Sequence, residues 1–344
     1  MTTRRLLLMG APGSPYTRKM LALLRYRHLP YEFVVRNSPR LASLPKPKVE
    51  LLPTFFLPDA AGAIEAVTDS TPLIRRFEAQ FAGRSVRPRD PVVAFLDSLV
   101  EDYADEWLTK AMFHYRWHFE PDIRKAGDLL PRYRNLTGSA AEAVAAREQF
   151  AARQIGRLRY VGSNAVTAPV IEASYLRCLD ALEAHFCAYP FLMGSRPGAS
   201  DFAVFGQLTQ LVRFDPTPSA IALARAPRVC VWVDLMEDCS GLAPAEEGWI
   251  RRDALPATLL AVLAEVGRVY VPVMLANARA LKAGAAQVET TIDGLPWTQN
   301  PFPYQGKCLR WLREEFAALN DADRAAALEA LAATGCGGLI TEPI

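Results

Sequence analysis

Strand-forming runs in this chain are confined almost entirely to its first eighty or so residues. The rest of the chain is rich in Ala and Leu and reads as one helix after another. That asymmetry leaves few architectures. The short segment must close one small sheet with helices on its faces, and the longer remainder must pack helix on helix. The length of 344 residues agrees, because about 150 residues per domain predicts about two domains. A chain this long can bury about three quarters of its surface, so a core forms without disulfides or metals.

The strands and helices of the first segment can be placed individually. Arg5 to Met9 is a compact apolar run bounded by Gly10-Ala11-Pro12-Gly13 and reads as a buried strand. Ser14-Pro15 opens a helix through about Arg27, with Ser suited to the cap and Pro to the first turn. Tyr31 to Val35 is a second strand. A loop rich in Pro and Lys leads to two short runs, Thr54 to Leu57 and Ile64 to Val67, which read as a hairpin. Asp69 to Phe81 is a helix. Arg84 to Asp90 is the natural linker, and its bunched Arg84, Arg87 and Arg89 read as a solvated face.

Helices are then expected at about 91–117, 140–160, 168–188, 200–213, 226–237 and 256–281. Closing helices come after them at 308–319 and 321–333. Ala286 to Asp293 alternates like a short strand. Leu295 to Tyr304, dense in Pro and aromatic residues, is expected as a loop pinned on the body or folded over a pocket.

Composition removes several functions. Lys and Arg number 39 against 37 Asp and Glu, too balanced for a nucleic-acid surface. The six cysteines fall in no zinc spacing and are too sparse for a disulfide framework. They read as reduced. The apolar run at Leu6 to Met9 is too short for a signal peptide. The apolar stretch Leu255 to Ala276 is interrupted by Pro256, Glu265, Arg268 and Pro272, so no membrane helix is expected. These readings together point to a cytoplasmic protein.

The chemistry concentrates at three places in the first segment. Ser14-Pro15-Tyr16-Thr17 stands between strand and helix, where a dithiol protein would carry Cys-Pro-Tyr-Cys. With no thiol there, dithiol exchange is excluded. A hydroxyl at a helix N-terminus remains, suited to hydrogen-bond a thiolate brought by a ligand. Capping alone also explains Ser followed by Pro. Leu52-Pro53-Thr54 precedes the third strand, and Pro53 there is compatible with a cis bond that aims the Leu52 backbone at a ligand. Asp69-Ser70 opens the next helix: either an ordinary cap or an anion-binding start, with Ser70 taking a carboxylate and Asp69 an ammonium.

In this order the Ser-Pro-Tyr turn, the Leu-Pro before a hairpin and the Asp-Ser before a helix resemble the thioredoxin-like domain of a glutathione transferase. The segment Pro190 to Phe202 is similar to the family's entry into a buried helix of its helical domain, where the place of Asp201 is structural. The resemblance covers roughly residues 4–240. It implies an α/β thioredoxin-like domain over about 1–82, followed by an all-α helical domain over about 91–344. The last part, about 245–344, is an extension.

The resemblance further implies glutathione as co-substrate, a small electrophile, a homodimer, and no metal, membrane or nucleic acid. Ser14 would polarise the glutathione sulfur, Leu52 would pair its backbone with the cysteinyl unit, and Tyr16 and Pro53 would belong to the glutathione site. Asp69 and Ser70 would hold the γ-glutamyl end. Glutathione-dependent lyase or reductase chemistry, or a binding protein without turnover, are the alternatives. Two places depart from the family: Asp69 stands where Glu is commoner, and Gly198 where Ser or Thr caps the buried helix.

His114 and His118 are one helical turn apart, but no third ligand is spaced for a metal. Tyr103, Trp107 and His114 share one face of an unbroken helix. That face either packs between helices or lines the pocket for the electrophile.

Overall fold

The computed structural model describes residues 5–245 and 247–344. Four strands form the first sheet: β1 (Leu6–Gly10), β2 (Tyr31–Val35), β3 (Thr54–Pro58) and β4 (Ile64–Val67), in the order β2-β1-β3-β4. β1 runs parallel to β2, with Leu6 opposite Tyr31. It runs antiparallel to β3, with Met9 opposite Thr54. Helices α1 (Pro15–Tyr26) and α2 (Ser70–Gln80) complete this thioredoxin-like domain. Its core forms because alternate strand residues meet the apolar stripes of the helices. Leu8, Leu24, Phe55 and Phe77 are fully buried, and Phe55 meets Phe77 edge-on with ring centres 5.4 Å apart. Each such side chain contributes about 1.5–3 kcal/mol by leaving water.

Among its described residues the second domain is mainly helical, with one hairpin and isolated bridges joining Gly194 to Phe191 and Trp249. It begins at α3 (Pro91–Tyr103), where Asp90 accepts from the N–H groups of Val92 and Val93 at 2.9 and 3.1 Å. One wide π turn (Ala104–Leu108) carries the chain into α4 (Thr109–His118). Next come α5 (Glu120–Leu129), α6 (Ala140–Ile155), α7 (Ala168–His185), α8 (Ala199–Leu208), α9 (Pro216–Arg225) and α10 (Pro227–Met236). α11 (Ala257–Glu265) and α12 (Val271–Ala283) join through a further π turn. This stretch of 27 residues is long and apolar enough to cross a membrane by composition, yet 67% of its most apolar window is buried inside the fold.

Strands β5 (Val288–Ile292) and β6 (Leu295–Gln299) pair antiparallel, so the segment expected as a loop is in part a strand. A two-stranded ribbon has only edges, and an edge tolerates Pro296. Its Trp297 is buried against Trp107, ring centres 5.1 Å apart. α13 (Pro303–Ala317), α14 (Asp321–Ala333) and the short α15 (Gly338–Thr341) close the chain. The extension lies along α3, where Phe316 meets Phe95 at 5.6 Å.

The domains meet where α1 crosses α8. Gly206 is the reason they come so close, since a Cβ there would stand 2.5 Å from the Pro15 carbonyl. Gly198 has an equally local cause. Asp97 of α3 accepts from the N–H groups of Ala199 and Ser200, each at 3.2 Å, and from the Ser200 hydroxyl. The cap of α8 therefore comes from another helix, and a side chain at 198 would strike that carboxylate. Asp201 supplies the other half by accepting from Gly198 and Leu192 N–H at 2.8 and 2.9 Å.

Candidate functional site

Ser14 caps α1 with its Oγ, accepting from the Thr17 N–H at 3.3 Å. That long bond uses one lone pair and leaves the hydroxyl proton free to be donated. Ser14 opens onto a cleft of about 350 Å³ between the domains. Tyr16 and Leu52 line it from the first domain, and Thr109, Met112, Phe113, Arg116 and Trp117 from α4. The Leu52–Pro53 bond is cis. Pairing between β1 and β3 stops at Met9–Thr54, so Leu52 lies outside the ladder and lines the cleft. Ser14, Tyr16 and Leu52 are thus brought together. Tyr16, however, spends its hydroxyl on the Asp105 carbonyl at 2.8 Å. Burial, then the charges of Glu106 and Asp105, holds that phenol well above its ordinary pKa.

Asp69 and Ser70 are not among the residues that line the cleft, though Lys19 links Ser70 to Asp105, which Tyr16 also bonds. Asp69 adopts a positive φ of 84°. Its carboxylate accepts from the Tyr304 hydroxyl at 2.8 Å and lies 3.8 Å from the Lys307 ammonium, both in α13. Burial raises its pKa, with Tyr304 and Lys307 opposing. The Ser70 hydroxyl accepts from Lys19 Nζ at 3.1 Å. The two positions read as a γ-glutamyl clamp therefore hold ammonium groups of this same chain.

Lys19 is the centre of that interior cluster. It is fully buried and donates to Glu101 at 2.8 Å and Asp105 at 2.6 Å. Burial works against its charge, but the two carboxylates overcome this and raise its pKa. Glu101 ends below its ordinary value: burial pushes it up, while Lys19 and Arg75 outweigh that. Asp105 is pushed up to about 6 because its burial costs more than Lys19 returns. The cluster joins α1, which carries Ser14, to α3 and the π turn.

Arg116 fixes the Ser14 turn from the other side. It is buried, and its Nη1 donates to the Gly13 carbonyl at 3.1 Å. Its remaining donors go to Asp215 at 2.9–3.1 Å and to Gln210 at 2.7 Å. Nothing in local spacing marks Arg116, because its partners lie in distant segments. Lys19 did leave a signal: it is one lysine on the apolar stripe of α1.

Tyr103, Trp107 and His114 are all buried, and none lines the cleft. Tyr103 packs edge-on against Tyr270 at 6.2 Å. The Trp107 indole donates to Ser174 at 3.1 Å. His114 bonds Ser163 at 2.8 Å and Glu172 at 3.3 Å, and burial, then His118, lowers its pKa to about 4. The π turn explains the change of face. Its extra residue rotates everything after it relative to Tyr103, so the α4 residues facing the cleft differ from those of an unbroken helix. Among the described residues no cluster of three His, Cys, Asp or Glu is placed to hold a metal.

Residues 8–85 match the family described as glutathione S-transferase, N-terminal domain. No curated protein matches the chain. Similar solved structures include a glutathione S-transferase from Methylobacterium radiotolerans in complex with glutathione sulfonate. It is 19% identical at a TM-score of 0.41, covering 72% of this chain and all of that one. A tau-class glutathione S-transferase from mango is also 19% identical at 0.41, covering 76% and 97%. A Pseudomonas putida glutathione transferase with glutathione disulfide bound is 15% identical at 0.40, covering 69% and 88%. The family match to residues 8–85 spans the Ser-Pro-Tyr, Leu-Pro and Asp-Ser motifs from which the resemblance is read.

Proposed function

We propose that this chain, through its glutathione-transferase-like first domain, binds glutathione and adds its thiolate to a small electrophile in the interdomain cleft. The observation that carries the reading is the Ser14 hydroxyl, free to donate at the N-terminus of α1 and open to the cleft. The Leu52 backbone, outside the sheet ladder, is available to the cysteinyl unit. The thiol proton passes to solvent, the sulfur pair forms the new bond, and the electrophile's leaving group or π pair accepts the electrons. A hydrogen bond to a charged sulfur contributes about 1.5–3 kcal/mol, which lowers the thiol pKa by about 1–2 units.

The test is the pH profile of kcat/KM for conjugation. In Ser14→Ala the rising limb should move up by about 1–2 pH units. An unmoved limb rejects the role of Ser14. One observation favours a second reading, a binding protein without turnover. Asp69 and Ser70 already have Lys307, Tyr304 and Lys19 as partners. An incoming γ-glutamyl group must share or displace them. If glutathione gives the wild type no thermal shift, this second reading replaces the first.

A further inference from the structure

The cleft carries more positive charge than its own carboxylates answer. Four arginines line it, Arg36, Arg116, Arg134 and Arg157, against one carboxylate, Glu50. Glu50 pairs with Arg36, and Asp215, outside the lining, pairs with Arg116. That leaves Arg134 and Arg157. Arg134 stands over the Phe150 ring at 5.8 Å, and Arg157 donates to the neutral Gln154 at 3.3 Å. Neither has a carboxylate partner among the described residues. Burial lowers the pKa of Arg134, Arg36 and Arg153 lower it further, and the Glu50 carboxylate opposes them without forming an ion pair with it.

A second observation is independent of charge. The Trp117 indole is buried in the same wall, and its N–H has no partner among the described residues. A buried donor left unpaired costs free energy until an acceptor arrives.

We propose that the outer cleft takes a small organic anion: an apolar body against Phe150, with a carboxylate or sulfonate between Arg134 and Arg157 that also accepts from the Trp117 N–H. This names the class of electrophile and rests on reading the cleft as the acceptor site. An arginine fork suits such an anion because two N–H groups meet two oxygens at once.

The experiment is calorimetric titration of the full chain with two probes of one shape, 2-naphthoate and the neutral 2-naphthamide. The wild type should bind the anion about tenfold more tightly. The double variant Arg134→Gln/Arg157→Gln should lose about that factor for naphthoate and hold naphthamide within about twofold. The exposed Arg251→Gln should change neither. Equal affinity for both probes, or a preference that survives in the double variant, overturns the proposal. A double variant that loses glutathione affinity and keeps its naphthoate preference also overturns it, since those arginines then serve glutathione's own carboxylate. A wild type that fails to bind glutathione yet shows the arginine-dependent preference removes the transferase reading and leaves the anion site standing.

Discussion

Replacing Lys19 by Met keeps an unbranched side chain one atom shorter and removes the charge that joins α1 to α3. Two carboxylates, Glu101 and Asp105, then lose their shared cation at 2.8 and 2.6 Å. At an effective dielectric of about 20, one such contact is roughly 6 kcal/mol of gross attraction. Desolvation of the three groups cancels much of it, but breaking a buried pair by deleting one partner still costs about 3–5 kcal/mol. For a chain of this length that is about 4–7 °C in Tm.

The pH dependence separates this account from a mere packing loss. Lys19 has a raised pKa, so its contribution is complete below the ordinary lysine value and lost only as pH rises through the folded value. Glu101 has a lowered pKa, so its contribution is present above the ordinary Glu value and lost as pH falls through the lower folded value. In the variant both carboxyls should titrate upward and protonate on mild acidification. The deficit against wild type is therefore largest near neutral pH and narrows toward pH 5. Urea denaturation of both proteins at pH 7.5 and pH 5 measures it. A deficit below about 1 kcal/mol, or one that does not change with pH, refutes the reasoning.

Other sites give independent tests. Arg116→Met should cost about 3 kcal/mol, because it leaves Asp215 buried and unpaired. It should also loosen the Ser14 turn, read as faster amide exchange at Gly13 and Ser14. Asp97→Ala should cost about 1–2 kcal/mol in denaturant by uncapping α8. His114, lowered to about 4 by burial and then His118, should stay neutral in an NMR titration until well below pH 6. Its stabilising share is present above the ordinary His value. It is lost as pH falls toward about 4, by up to about 3 kcal/mol, and His114→Gln should flatten that loss.

Local signals were legible wherever one residue's own backbone chemistry decided the outcome. Ser14 before Pro15 set a helix start, and Leu52-Pro53 marked where chain leaves the ladder. Asn320 and Asp321 opened α14 on the expected residue. The short α5 and α9 went unread, because each is ten residues long and opens on Pro at its first or second position without a side-chain cap. Alternation marked β5, but its partner β6 went unread because Pro296 argues against a strand until one sees that both strands are edges.

The sequence by itself determined the small sheet, the long helical remainder and the hydroxyl that stands at the head of α1, because caps, periodicity and turn chemistry act over a few residues. Only the tertiary structure decided what those residues touch. The π turn chose the face of α4 that meets the cleft, and α13, more than two hundred residues away in sequence, delivered Tyr304 and Lys307 to Asp69. Those outcomes depend on which distant groups share one desolvated site, where the partner of a buried charge is set by packing and not by spacing along the chain.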